Sequence, residues 1–125
     1  MYIFHTLKSK QSEKATKQPF DEFIRDAVIQ RFEFTHELGW KMLKLRLEAE
    51  DIFVKTPRET LQEAFQAGLI QDGNAWSDLQ KKRNLTSHTY DKDLADQVYN
   101  YVLESGLPLF QQLAAASRTW QIKKD

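Results

Sequence analysis

The chain has 125 residues, 41% hydrophobic and 29% charged, with 18 acidic residues balancing 18 basic ones. That is the length of one domain and a globular composition, while 4 Gly and 3 Pro are too few for the tight turns of a sandwich or barrel. The absence of cysteine excludes disulfides, thiolate zinc sites and a cysteine nucleophile, and balanced charge excludes a strongly basic nucleic-acid coat. Any nucleic-acid contact must therefore be confined to a cleft. No run approaches about 18 apolar residues and no export signal is recognisable, so a cytoplasmic protein is expected.

Ile3, Phe4, Leu7 and Ala15 among Lys8, Lys10, Lys14 and Lys17 predict a polar first helix over residues 3–17, ended by Pro19. A second helix is predicted from Asp21 to about Glu50. Its expected apolar stripe is Ile24, Val28, Phe32, Leu38, Met42 and Leu45. Phe20, Phe23, Phe34, Trp40, Leu43 and Leu47 add apolar surface away from that stripe, which points to a second copy as partner.

Thr56, Pro57 and Glu59 form a capping box for a third helix that stops near Gly68, a residue suited to a left-handed cap. The Asp72-Gly73 turn follows, and Asn74 or Ser77 is the expected cap of a fourth helix ending around His88 to Tyr90. A fifth begins near Asp91, is kinked or broken at Gly106 and Pro108, and continues toward Trp120. No linker is long enough to separate domains, so residues 1–125 read as one.

There is no P-loop, dinucleotide fingerprint or G-x-S-x-G elbow, and His5, His36 and His88 lack the H-E-x-x-H spacing. No metal site or cofactor is expected. Glu33 and Glu37 lie one helical turn apart with Lys41 a turn further, a pattern that a solvated, salt-bridged face also produces.

The segment Arg83-Asn84-Leu85-Thr86-Ser87-His88-Thr89-Tyr90 differs in kind. Asn84 and His88 are four apart, so on a helix the amide can orient the imidazole. Arg83 and His88 are five apart, about 140° around an ideal helix. They converge only if the arginine curls back, the helix ends between them, or a second subunit supplies part of the site. Arginine grips phosphate in its planar fork and histidine exchanges protons near neutrality, so the set suits phosphate chemistry. Cations complementing a helix C-terminal dipole explain the same residues.

R-x-x-x-x-H-x-Y, filled by Arg83, Asn84, His88 and Tyr90, resembles the signature of the HEPN superfamily. The stretch from Arg25 to Thr35 resembles its nucleotidyltransferase substrate-binding branch. So do Glu37-Leu38-Gly39-Trp40-Lys41, Pro57-Arg58-Glu59 and the run from Ala64 to Ile70, in order across residues 20–115. The resemblance implies an antiparallel up-and-down four-helix bundle with an extra, kinked C-terminal segment, pairing as a homodimer. It also implies a separate minimal nucleotidyltransferase (MNT) from an adjacent gene. This chain is not that enzyme, because it lacks the Gly-Ser pair followed by D-x-D.

Two roles follow from the resemblance: a substrate-binding partner of the transferase, or a metal-independent ribonuclease toxin of a toxin–antitoxin pair. The toxin is silenced when the partner nucleotidylates the signature tyrosine. Carried onto this sequence, Arg83 binds the scissile phosphate, His88 is the acid/base, Asn84 holds His88, Glu33 or Glu37 orients Arg83, and Tyr90 accepts the AMP. A third, plainer reading is a dimeric scaffold whose signature residues stabilise a helix end.

Overall fold

Side chains spaced by four and three, Ile24-Val28-Phe32-His36-Gly39-Leu43-Leu47, form the buried face of the longest helix, α1 (Gln18–Glu48). The computed structural model of the chain describes residues 18–120, so the helix expected over residues 3–17 lies outside the described residues. The buried row corrects the sequence reading in its second half. The expected stripe jumped from Phe32 to Leu38, Met42 and Leu45; the real row steps by four to His36, and Leu38 and Leu45 face outward. A histidine and a glycine at the middle of the row carry no hydropathy signal, which hid its phase. Gly39 sits where Leu113 approaches, since a Cβ there would stand 3.5 Å from Leu113 Cδ2.

Two helices close in the same way. After α1, Asp51 takes a left-handed φ of 62°, and the Ile52 N–H donates to the Leu47 carbonyl at 2.9 Å. Asp is among the few side chains that tolerate this conformation, at a cost of about 1 kcal/mol. At the end of α2 (Pro57–Gln66), Gly68 takes φ 77° without that cost, and the Leu69 N–H donates to the Ala64 carbonyl at 2.9 Å.

The α2 N-terminus carries the expected cap: the Glu59 N–H donates to Thr56 Oγ1 at 3.1 Å. The returning bond reaches one residue further back than in the usual box, from the Lys55 N–H to Glu59 Oε1 at 2.9 Å.

Helix α3 (Gly73–Leu85) is capped by Asp72, whose carboxylate accepts from the Ala75 N–H at 3.0 Å, rather than by Asn74 or Ser77. A single 3-10 turn, Thr86–His88, follows it. Asp91 then caps α4 (Lys92–Tyr101), accepting from the Asp93 and Leu94 N–H groups.

The expected kink at Gly106 and Pro108 is a π-helical segment, Val102–Gly106, through which α4 runs on into α5 (Leu107–Ser117). Pro108 has no N–H to continue the α-helical ladder, and the wider register resolves this, with the Leu107 N–H donating to the Val102 carbonyl. Gly106 makes the close approach possible. A Cβ there would lie 3.3 Å from Tyr101 Cε2 and 3.7 Å from Phe32 Cε1.

Helix α1 packs on α2, α3, α4, the π-helical segment and α5, while α2 packs on α3 and α3 on α4, closing an all-α bundle. At its centre the Phe32 ring meets Tyr101 at 6.3 Å and Phe110 at 6.0 Å, and Trp76 meets Phe110 at 6.1 Å. Such tilted and edge-on pairs add roughly 0.5–1.5 kcal/mol each beyond area burial. No described helix is long and apolar enough to cross a membrane.

Candidate functional site

The site lies where α3 gives out. Residues 83–85 complete its last turn, and the backbone then tightens into the 3-10 turn that carries His88 toward Tyr90. This change of pitch is one of the routes by which the sequence reading allowed Arg83 and His88 to share a surface, the helix ending between them. It also breaks the α-helical four-residue alignment on which the Asn84–His88 pairing depended.

Arg83 is positioned from α1. Its Nη1 donates to Thr86 Oγ1 at 2.8 Å and stands 3.6 Å from Glu33 Oε2, while Thr86 Oγ1 lies 2.8 Å from the same carboxylate oxygen. Thr86 itself is only 5% exposed. Of the two carboxylates the sequence offered, Glu33 therefore faces Arg83 and Glu37 does not. The Trp40 indole N–H donates to Glu37 at 3.0 Å and Lys41 pairs with it at 3.0 Å. Those contacts, the indole bond first, hold the Glu37 carboxyl below the usual range. Glu37 is thus the salt-bridged surface residue that its spacing with Lys41 allowed.

Asn84 also has a different partner from the one expected. Gln80 Nε2 donates to Asn84 Oδ1 at 3.4 Å, and Gln80 Oε1 lies 2.7 Å from His36 Nε2. His36 is 4% exposed, and burial, opposed by the Gln80 bond and reinforced by the Arg83 charge, pulls its pKa down. A neutral ring with its proton on Nε2 donates to Gln80 and leaves a bare Nδ1 lone pair unpartnered. Reversing the chain would bury an N–H without an acceptor, the costlier defect. So each amide commits its oxygen within the chain of bonds, which leaves the second Gln80 N–H and both Asn84 N–H groups uncommitted by it.

His88 and Tyr90 remain open. Among the described residues the His88 side chain has no hydrogen-bond partner, and its ring meets that of Tyr90 edge-on at 6.1 Å. Tyr90 is 87% exposed. Of the neighbouring hydroxyls, Ser87 donates to the Asn84 carbonyl at 3.1 Å, Thr89 to the Thr86 carbonyl at 3.1 Å, and Thr86 is committed inside.

The family model described as "Nucleotidyltransferase substrate binding protein like" matches residues 4–119. The chain belongs to that family. Across 124 residues it is 33% identical to a Haemophilus influenzae protein named "Probable ribonuclease HepT", covering 86% of this chain and 85% of the relative. A crystal structure from Thermus thermophilus superposes with a TM-score of 0.74 at 30% identity, covering 94% of this chain and 97% of that one. A Haemophilus influenzae structure, described as the fold of a substrate binding domain of a nucleotidyltransferase, superposes at 0.64 with 31% identity, covering 90% and 95%.

Sequence reasoning about this nucleotidyltransferase substrate-binding chain missed two residues, Thr86 as the bridge to Arg83 and His36 at the root of the amide chain. Continuing the four-residue spacing from Phe32 would have placed His36 inside; Thr86 gave no signal, because its burial depends on where α3 ends.

The pH dependence follows from His36. Its folded pKa lies below the ordinary value near 6.5, so the unfolded chain takes the proton first as pH falls. The stability His36 allows is present above pH 6.5 and is lost as pH drops toward the folded pKa. The urea midpoint should fall between pH 7.5 and 5.5, and His36→Gln should flatten that fall. An equally steep fall in the variant would remove His36 as the cause.

Proposed function

We propose that the chain is the partner subunit of a separate minimal nucleotidyltransferase, encoded beside it in a two-gene module, and that Tyr90 is the hydroxyl it presents. The exposure of Tyr90 carries this reading, because a side chain 87% open on a turn can enter another protein's active site without unfolding its own. The step is a nucleotidyl transfer. The Tyr90 oxygen attacks the α-phosphorus of ATP, the bond to the β-phosphate oxygen breaks, pyrophosphate leaves, and the phenol proton passes to a base. Incubation with the adjacent gene's transferase, Mg²⁺ and ATP should add the mass of AMP to the intact chain, and Tyr90→Phe should abolish the gain. An undiminished gain in Tyr90→Phe would assign the acceptor elsewhere.

A second reading, the ribonuclease toxin of a toxin–antitoxin pair, is favoured by a different observation. Arg83 is held by Thr86 and Glu33 at the end of α3, with an exposed His88 three residues past the helix terminus. A guanidinium there can bind a phosphodiester while His88 takes the proton of the ribose 2′-hydroxyl. The 2′-oxygen attacks phosphorus, the 5′-oxygen leaves and is reprotonated, and a 2′,3′-cyclic phosphate results without a metal. The name of the Haemophilus relative supports the same reading. Purified chain should cleave single-stranded RNA in excess EDTA, and His88→Ala should lower the rate about 10²–10⁴-fold, the usual worth of a general acid or base. Intact RNA with the unaltered chain would end this reading. The two readings are compatible, since a toxin that is modified is also a substrate, and both set the protein in the cytoplasm with ATP and RNA.

A second copy is the proposed occupant of the outer face of α1. Phe23, Phe34, Leu38 and Leu45 are all exposed there. At 100° per residue they fall within about 60° of one another, along roughly 33 Å of helix. Apolar residues scattered singly are ordinary, but a row this long calls for a cover, and an antiparallel copy sets its Phe23 end on the partner's Leu45 end. Sedimentation velocity should give a dimer, and Leu38→Glu should shift it to monomer with helix content kept. A monomeric parent chain would overturn this.

A further inference from the structure

Helices α2 and α3 diverge enough to leave a groove of about 510 Å³ between them. Its nine lining residues include two cations, Arg58 and Lys81, and no carboxylate, in a chain whose charges balance overall. The cationic character is local, which is what a cleft-confined anion requires. The groove runs along α3 from Gly73 to Asn84, the residue that follows Arg83 in the chain.

The aromatic wall is Phe65, 49% exposed. It rests on the backbone of Gly73, where a Cβ would lie 3.3–3.5 Å from the ring atoms, and any larger residue would push the ring away. The ring is thus backed on one side by main chain and open on the other. That is a stacking platform for a planar group.

The polar floor is oriented as well. Gln80 Oε1 is taken by His36, and one Gln80 N–H is given to Asn84 Oδ1, which leaves the second Gln80 N–H and the Asn84 N–H groups as donors among the groove's lining. Two cations, two donor-presenting amides and one flat ring match an anion joined to an acceptor-rich planar ring. That combination is a nucleotide.

We propose that the α2–α3 groove binds one nucleotide unit of single-stranded RNA, adjacent to the phosphodiester held at Arg83. The base stacks on Phe65, Gln80 and Asn84 donate to its ring carbonyls or nitrogens, and Lys81 and Arg58 pair with its phosphate. The assignment to RNA rests on the ribonuclease reading, whereas the nucleotide chemistry of the groove does not.

The test is fluorescence anisotropy with a short, 5′-labelled, mixed-sequence oligoribonucleotide. It is run in a His88→Ala background so that the probe stays whole, with circular dichroism confirming helix content in each variant. Phe65→Ala should weaken binding about tenfold, within the range for loss of one base–aromatic stack, and Phe65→Trp should retain it. Lys81→Ala should also weaken binding and reduce the slope of log affinity against log salt by roughly 0.7, as for one single-strand phosphate contact. Undiminished binding in both Phe65→Ala and Lys81→Ala, or binding of neither the oligoribonucleotide nor ATP by the background chain, would overturn the groove. Affinity for ATP without affinity for the oligoribonucleotide would overturn its assignment to RNA. Cleavage by the His88-intact chain is scored separately. Cleavage with indifferent groove variants removes the groove and leaves the ribonuclease; Phe65-dependent binding without cleavage supports the groove and removes the ribonuclease.

Discussion

Thr86 has one hydroxyl hydrogen and two acceptors in reach, Glu33 Oε2 at 2.8 Å and the Arg83 carbonyl at 2.7 Å. The ionised carboxylate is the stronger acceptor, so the hydroxyl donates to Glu33 while its own oxygen accepts from Arg83 Nη1. Glu33 consequently holds Arg83 through an intervening hydroxyl, with the direct separation at 3.6 Å. A bidentate Arg–carboxylate pair would consume the guanidinium's fork. Here one of its five N–H groups is tied to threonine and the remaining edge is available for a phosphate. The arrangement exists only because α1 and α3 pack side by side, with Glu33 beside the buried Phe32 and Thr86 at the first residue beyond α3.

The same helix contact carries the second polar link. Glu33 and His36 are three residues apart on α1, and Arg83 and Gln80 are three apart on α3, so two crossings of the same helix pair are stacked one turn apart. One orients a cation and the other orients two amides. Burying a histidine to do this has a cost, a lone pair at Nδ1 without a partner. It also requires that the ring stay neutral, which its depressed pKa provides. A polar chain anchored in the core is stiffer than one anchored at the surface, and stiffness is what a binding floor needs.

The helices, the cap of α2, the left-handed Gly68 and the start of α4 at Asp91 were legible in the sequence because each rests on local chemistry. The errors were of another sort. The phase of α1 was lost at His36 and Gly39, where burial is decided by Gln80 and Leu113 from other helices rather than by hydropathy. The Asn84–His88 pairing assumed that α3 keeps its pitch. The pitch changes at Thr86, whose N–H bonds to the Arg83 carbonyl and whose hydroxyl reaches Glu33 of α1, a tertiary contact invisible in spacing. The kink at Pro108 was foreseen, but its form as a π-helical segment depends on Gly106 lying against Tyr101 and Phe32. Tyr101 pays for that packing with a buried, unpartnered hydroxyl, and burial first, then Asp78, pushes its pKa up to about 12.

The geometry of His88 and Tyr90 bears on how the two proposed readings could belong to one protein. The rings meet edge-on at 6.1 Å, close enough that a group carried by one occupies the approach to the other. A phosphodiester attached to the Tyr90 oxygen would bring a bulky anion onto that approach and obstruct access to the imidazole. Control at Tyr90 would therefore need no conformational change. It would act by placing on the protein the same kind of charge that the ribonuclease reading assigns to the substrate.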